Sequence, residues 1–474
     1  MKYLSIIFIL IFAISAQSAT YIVTRSDDRN EICNSGVDCS MREAIKAANA
    51  VATDDTINFA SDVTTVTLTD EISLHNAGTL TINGNGANVL TIDGGVGTNR
   101  IFFVSAAKVT IQGVTLSGGN GGAAAVYAFF GTTILEAVVV QNNVGGSGFL
   151  GAVYFERGTN HRIANSTLSG NTGFRDCAAI YADNASLTVV NTTVSGNSTL
   201  ASGVGTGAIC INGGSTATFR NTTISGNTAG SARSGGGGIY ISGTSTVNLG
   251  NTIVAGNTAA GSGPDLYRLS STSTFTTSGG NLIGDNSGNL DAPNTTTFPT
   301  GNPNANGDIV GSNSFPINPM LAALANNGGT TPTHALLAES PAIDAGNNSN
   351  SPATTDQRGF TRIVNGIIDI GAFERESVIS PTCTYSINPT SQTFNGTGGN
   401  GSVTITTQPG CSFSSLSNSS FITITSGAGT GNGTVTFMVA ANKGAARTGT
   451  LFIAGQTFTV NQSKARIRTR ITTF

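Results

Sequence analysis

Glu156 and Asp183 are the side chains of this 474-residue sequence whose placement could support catalysis. Each stands three positions after an aliphatic residue, Val153 or Ile180, in the related stretches "VYFE" and "IYAD". If those stretches are strands stacked one above the other, the carboxylates lie roughly 5 Å apart. That falls near the spacing of the two carboxylates in a retaining glycosidase. Asn212 extends the row by one further copy. The same register offers a second chemistry, binding. With Val126, Val153, Ile180, Ile209 and Ile239 facing inward, period two sends Tyr127, Tyr154, Tyr181, Cys210 and Tyr240 outward, beside Phe129, Glu156, Asp183, Asn212 and Ser242. Aromatic rings beside a polar row suit a sugar, with apolar faces and hydrogen-bonding partners side by side. The competing reading is a tyrosine stack that only reinforces pairing between coils.

What must position these residues is a repeat. "NSTLSGN" (165–171), "NTTVSGN" (191–197), "NTTISGN" (221–227) and "NTIVAGN" (251–257) recur, and Asn143, Asn171, Asn197, Asn227 and Asn257 are separated by 28, 26, 30 and 30 residues. Two positions before each opening Asn stand Ile163, Val189, Phe219 and Leu249; three positions after it stand Leu168, Val194, Ile224 and Val254. Period-two alternation on both sides reads as two strands, and the odd step at the Asn reads as a sharp bend. Gly113 and Ala137 take the bend position in two earlier copies. Three short strands per copy cannot bury their own apolar face, so the copies must stack into a parallel β-helix. Asn tolerates left-handed turns and can bond its counterpart one coil away, so the N-x-T sequons read as turn ladders before glycosylation sites.

Composition narrows the function. Charged residues are 10% of the chain and the net charge is −3, which gives no electrostatic case for nucleic acid. Between 101 and 262 the acidic residues are Glu136, Glu156, Asp176 and Asp183. The stretch has none of the clustered Asp, His, Arg and Lys signatures of a polygalacturonase-like site, nor the carboxylates for a lyase calcium. His75, His161 and His334 are scattered without metal-ligand spacing. No metal and no cofactor is expected. Lys2, the apolar run 4–14 and the small residues Ala16, Ser18 and Ala19 read as a signal peptide over 1–19. No later run is long enough to span a bilayer.

Residues 101–262 resemble bacterial secreted right-handed β-helix proteins, "GGGI" at 236–239 matching their GG[AG][ILV] motif. "CSMREAIKAANA" (39–50) resembles a CSLREA segment, assigned to 20–55. Ser40-x-x-Glu43 is a capping box, and Met41, Ala44, Ile45 and Ala48 form one apolar stripe, so a short helix is expected to cap the solenoid. The solenoid proper spans 56–310. The stretch 318–374, with "DQRGF" and "DIGAFE", resembles a choice-of-anchor Q module, placing the end of the β-helix at 311–375. After a linker at 376–382, residues 383–462 resemble a BACON domain, an immunoglobulin-like β-sandwich associated with carbohydrate binding, with Phe413 and Phe421 where relatives carry Trp. A basic tail, 463–474, follows.

The sequence therefore reads as an all-β protein: a right-handed parallel β-helix with a short N-terminal capping helix, then a β-sandwich. Its function reads as secreted or surface-displayed, non-catalytic glycan binding or adhesion, through Tyr127, Tyr154, Tyr181, Asn212, Tyr240, Phe413 and Phe421, with an extracellular polysaccharide or surface glycan as partner. The alternatives are a polysaccharide lyase or hydrolase using Glu156 and Asp183, and a purely structural stalk. Cys33–Cys39 and Cys383–Cys411 form local disulfide pairs. Cys177 and Cys210 are expected to stay apart, because a four-residue offset along a strand is roughly 13 Å and a disulfide needs Cα atoms within about 7 Å.

Overall fold

The computed structural model describes residues 17–97, 99–146, 151–200, 206–231, 235–289, 293–376, 383–409 and 411–464. The signal-peptide expectation falls almost entirely, and the basic tail largely, outside them. The chain divides into two compact units, Met1–Glu376 and Ser377–Phe474. Among the described residues no helix is long and apolar enough to cross a membrane.

The first unit is a parallel β-solenoid. One coil consists of Ile180–Asp183, Ser186–Val190, Thr193–Ser195 and a short fourth strand, Ser198–Thr199. Successive coils pair in parallel, giving sheets of eight, ten, ten and six strands respectively. The aliphatic ladders stack in register: Val126, Val153, Ile180, Ile209 and Ile239 on the first sheet, Ile163, Val189, Phe219 and Leu249 on the second, and Leu168, Val194, Ile224 and Val254 on the third. All of them are buried in one continuous core. The helix Met41–Asn49 begins with the capping box, Glu43 N–H donating to Ser40 Oγ at 3.2 Å and Ser40 N–H to Glu43 Oε2 at 2.8 Å. Its Met41, Ala44, Ile45 and Ala48 join the same core as Ile57 and Leu80 of the first coils.

The two asparagines of each repeat have different work. The opening Asn165, Asn191, Asn221 and Asn251 sit at φ 51°, 47°, 50° and 50°, the left-handed bend between second and third sheets. The closing Asn143, Asn171, Asn197, Asn227 and Asn257 form a buried ladder. Each donates its backbone N–H and its Nδ2 to the side-chain oxygen of the next coil's residue; from Asn197 to Asn227 these bonds are 3.0 and 2.9 Å. The amide also reaches a carbonyl of the coil before, Asn197 Nδ2 to Leu168 O at 2.9 Å. The last rung is a carboxylate, Asp265 accepting from Asn257 N at 3.1 Å and Nδ2 at 2.8 Å.

Residues 311–375 do not extend the rod, in contrast to the expectation that they end the β-helix. The final solenoid strand, Ile309–Val310, pairs with Leu282–Ile283, and the chain then returns along the outside of the third sheet. Thr331 Oγ1 donates to Asn165 O at 3.0 Å, and Gln357 bridges Thr167 Oγ1 and Thr193 Oγ1 at 2.9 and 2.7 Å. Ala372 N–H donates to Thr223 Oγ1 at 3.0 Å, and Asn347 N–H to Asn251 Oδ1 at 2.7 Å. The strap thus ties four coils together through the outward Asn and Thr side chains that the repeat lays out in rows. Its own apolar residues Leu336, Ala342, Ile370 and Phe373 pack with Ile253, Leu282 and Ile309.

Three disulfides are formed: Cys33–Cys39, Cys383–Cys411 and, against expectation, Cys177–Cys210, with Cα atoms 5.9 Å apart. The register is the expected one, Tyr181 lying opposite Cys210. The assumption that fails is a straight chain from 177 onward: the strand starts only at Ile180, and residues 178–179 bend around the corner between sheets. The corner brings Cys177 back beside the next coil, and Cys210, on the outward side of its strand, is buried beneath it.

The second unit is a β-sandwich with its own core of Val403, Ile405, Val435, Phe437, Leu451 and Phe458. One sheet has four strands; the other has five, in the order Ser391–Phe394, Gln456–Gln462, Arg447–Ile453, Ser412–Ser417 and Ala428–Thr430.

Asn197→Ala leaves several buried donors and acceptors of the ladder without partners, at about 1–3 kcal/mol each. The expected result is a solenoid destabilised by roughly 2–4 kcal/mol, read as a lower melting transition of the first unit by calorimetry. An equally placed exposed change, Thr228→Ala, should leave that transition nearly unmoved.

Candidate functional site

The first sheet carries the row from which both candidate chemistries start. Val126–Phe129, Val153–Glu156, Ile180–Asp183 and Ile209–Asn212 pair in register, followed by Ile239–Ile241 and Leu266–Arg268. Period two directs the aliphatic residues into the core and the tyrosines to the outer face, where Tyr267 adds a member the repeat spacing did not single out. Tyr127 stacks on Tyr154 at 5.0 Å with planes 10° apart, and Tyr240 stacks on Tyr267 at 5.5 Å with planes 7° apart. Tyr154 and Tyr181 meet edge to face, also at 5.0 Å, and Cys210 interrupts the series. Ring faces are therefore spent largely on neighbouring rings. Tyr154 is only 7% exposed, whereas Tyr127, Tyr181 and Tyr240 are half-buried. What this strip presents to solvent is ring edges and hydroxyls rather than open faces.

The polar row is knitted to the strip. Tyr127 donates its hydroxyl to Glu156 one coil on, Asn212 Nδ2 donates to Tyr181 Oη at 2.9 Å, and Ser242 Oγ donates to Asn212 Oδ1 at 2.5 Å. Glu156 and Asp183 are register partners on adjacent coils, so the structure does bring the candidate pair together. Burial, then the neighbouring Glu156 charge, raises the Asp183 carboxyl, and Arg157 partly offsets both. Asp176, near the corner at Cys177, is pushed up to about 6 by burial, with Arg175 opposing. Burial also drives the phenol of Tyr240 up to about 12. A raised acid beside a second carboxylate is the minimum for glycoside cleavage, but the Tyr127 hydroxyl already occupies Glu156.

The histidines serve packing. His161 Nδ1 accepts from Thr133 N–H at 3.1 Å and Nε2 donates to Arg157 O at 2.8 Å. His334, on the strap, bonds Ala322 O through Nδ1 and Ser195 Oγ through Nε2, both at 2.7 Å. A serine–histidine pair orders nucleophilic chemistry when a carboxylate holds the second nitrogen; here a backbone carbonyl holds it. Burial lowers both imidazoles, keeping them neutral. Among the described residues no group of three His, Cys, Asp or Glu side chains converges as a metal site would require.

Sequence reasoning missed the ionic cluster inside the strap. Asp356 accepts from Arg358 Nε at 2.8 Å and from Glu374 N–H at 3.0 Å, and Arg358 lies over the Phe373 ring at 3.7 Å. Arg362 is fully buried, donating to Asn191 Oδ1 at 2.7 Å and Gly371 O at 2.9 Å. The signal was present: "DQRGF" and "DIGAFE" concentrate charge in a chain that is only 10% charged.

In the second unit, Phe413 is 8% exposed and lies in the core. Gly429 and Gly433 make room for it, since a Cβ at either would come within 2.8 or 2.6 Å of its ring. It has no free face for a sugar. Phe421 is half-buried with the Arg447 guanidinium over its ring at 3.9 Å. Among the described residues of this unit the exposed large apolar side chains are Leu416, Met438 and Phe452.

Residues 412–463 match the BACON family model, described as "Putative binding domain, N-terminal". No curated protein sequence is a match for the chain. Among solved structures the chain is similar to a Bacteroides ovatus GH5 xyloglucanase in complex with a XXXG heptasaccharide, at 18% identity and a TM-score of 0.17. The alignment covers 19% of this chain and 20% of that one. The BACON match runs from the strand Ser412–Ser417 through Gln456–Gln462, within the second compact unit.

The Asp176 carboxyl makes a checkable pH signature. Its folded value of about 6 lies above the ordinary 3.8, so the folded state holds the proton more tightly than the unfolded chain. Its contribution to stability is complete below about pH 4 and is lost as pH rises through about 6. Carboxyl NMR should show a midpoint near 6 for this residue, and Asp176→Asn should flatten that part of the melting-versus-pH curve.

Proposed function

We propose that the protein is an exported, non-catalytic glycan-binding protein, in which a strapped β-solenoid and a BACON-like β-sandwich each carry a surface for an extracellular polysaccharide or surface glycan. The observation that carries this reading is the match of residues 412–463 to a putative binding domain. Three disulfides support an oxidising location outside the cytoplasm. On the solenoid, Tyr127, Tyr181, Tyr240 and Asn212 offer hydroxyls, ring edges and an amide at the coil repeat, with Glu156 and Asp183 alongside as hydrogen-bond acceptors for sugar hydroxyls. Tyr154 acts as the buried member that fixes the spacing of its neighbours.

A purely structural stalk is the second reading, and one observation favours it: the strip's ring faces are stacked on one another. Replacing the half-buried Tyr181 and Tyr240 together with Ser separates the two. Under glycan binding, retention on a glycan array falls by roughly tenfold, the loss of about 1.4 kcal/mol of contact, while the melting transition moves slightly. Under the stalk reading, melting falls and array signals are unchanged or absent from the start. Release of new reducing ends or unsaturated products from a polysaccharide panel, abolished in Glu156→Gln, would instead establish cleavage.

A further inference from the structure

The sandwich has an outer surface that no candidate residue from the sequence touches. On the five-stranded sheet, Phe413, Gly449, Leu451, Ile453, Phe458 and Val460 point inward and are buried. The opposite parity is outward. Leu416 and Phe452 are register partners across two antiparallel strands, 65% and 46% exposed, and Phe452 also pairs with Thr457 on its other side. Around them the outward positions are Ser414, Thr448, Thr450, Thr457 and Asn461, all hydroxyls or an amide. No outward position on these three strands carries a charge.

We infer that this face, centred on Phe452 and Leu416, is a binding platform for a neutral polysaccharide chain. An aromatic ring and a leucine side by side on the sheet offer the apolar contact that the C–H face of a pyranose takes, and the hydroxyl-bearing Thr457, register partner of Phe452, lies one strand spacing, roughly 4.8 Å, away. Absence of charge removes any attraction for uronates or sulfated sugars. The patch is too small for a protein partner, since two side chains supply a minor part of the ~800 Å² per side that a specific protein interface buries. The solenoid strip differs in kind, with its ring faces stacked and carboxylates alongside. The platform rests on the glycan-binding reading but not on the tyrosine strip.

The test uses the full chain in affinity electrophoresis through gels containing galactomannan, hydroxyethylcellulose or polygalacturonate. Wild type should be retarded by at least one neutral polysaccharide and not by polygalacturonate. Phe452→Ala should weaken that retardation about tenfold with the melting temperature unchanged, because the ring is outside the core. Met438→Ala, an exposed side chain on the other sheet of the sandwich, should be retarded like wild type in the same gel. Full retardation of Phe452→Ala, or an equal weakening in Met438→Ala, overturns the platform while leaving glycan binding intact. Retardation confined to polygalacturonate overturns the neutral-ligand assignment. A concentration-dependent dimer that disappears in Phe452→Ala assigns the face to a second copy and overturns the inference. Blank gels together with a blank glycan array overturn this inference and the wider reading at once.

Discussion

The solenoid depends on buried asparagine amides that each satisfy two coils at once. A parallel coil leaves backbone N–H groups at every corner pointing along the axis, and a buried N–H without a partner costs about as much as a lost hydrogen bond. Asn197 answers this by accepting from Asn171 at the backbone and side chain while donating onward to Asn227. Once that row is fixed, each coil's corner lies directly above the next. The aliphatic ladders then have only one register available, because a one-residue slip would turn every core residue outward.

The rows that hold the corners also leave rows of polar groups on the outside of the third sheet, and the strap makes use of them. Thr167, Thr193 and Thr223 stand at equivalent positions of three coils, and Gln357 and Ala372 bond them in turn. A rod of few charges thereby gains a longitudinal brace that, among the described residues, makes no salt bridge to its coils. The charges it does use are gathered inside the strap, where Arg362 reaches the Asn191 side chain while burial lowers it to about 10. Loss of Asn191 would remove one of that guanidinium's two hydrogen bonds, so brace and bend share one residue.

Periodicity made the solenoid legible from the sequence. Val153, Ile180 and Ile209 fall where alternation places them, and the capping helix follows from Ser40, Glu43 and one apolar stripe. What alternation does not encode is the path through corners. Cys177 was measured along a straight strand that does not exist, and its partner was therefore missed. Alternation likewise tells which side of a sheet a ring is on, but not what its face touches; Tyr154 is outward and nonetheless covered. Phe413 was weighed as a replacement for a sugar-facing Trp, although alternation with Gly429 and Gly433 opposite already places it inside. The same parity rule applied to Thr448, Thr450 and Phe452 would have found the exposed ring. The strap could not be derived at all from local pattern, because its partners lie far off in sequence, Gln357 being 190 residues from Thr167 and Ala372 149 from Thr223.

The asparagine ladder has a direction. Every side-chain oxygen accepts from the coil before it, every amide donates to the coil after it, and the run finishes on Asp265, which accepts from Asn257 in turn. A neighbouring row finishes the same way, Asn281 donating to Asp308 at 2.8 Å. An internal coil therefore presents an acceptor to the coil before and donors to the coil after, and its rung can be duplicated or deleted without altering the chemistry of the rungs beside it. The final coil cannot, since its rung must receive without giving. The ladder by itself therefore sets no copy number, while the aspartates that end it belong to the last coils alone.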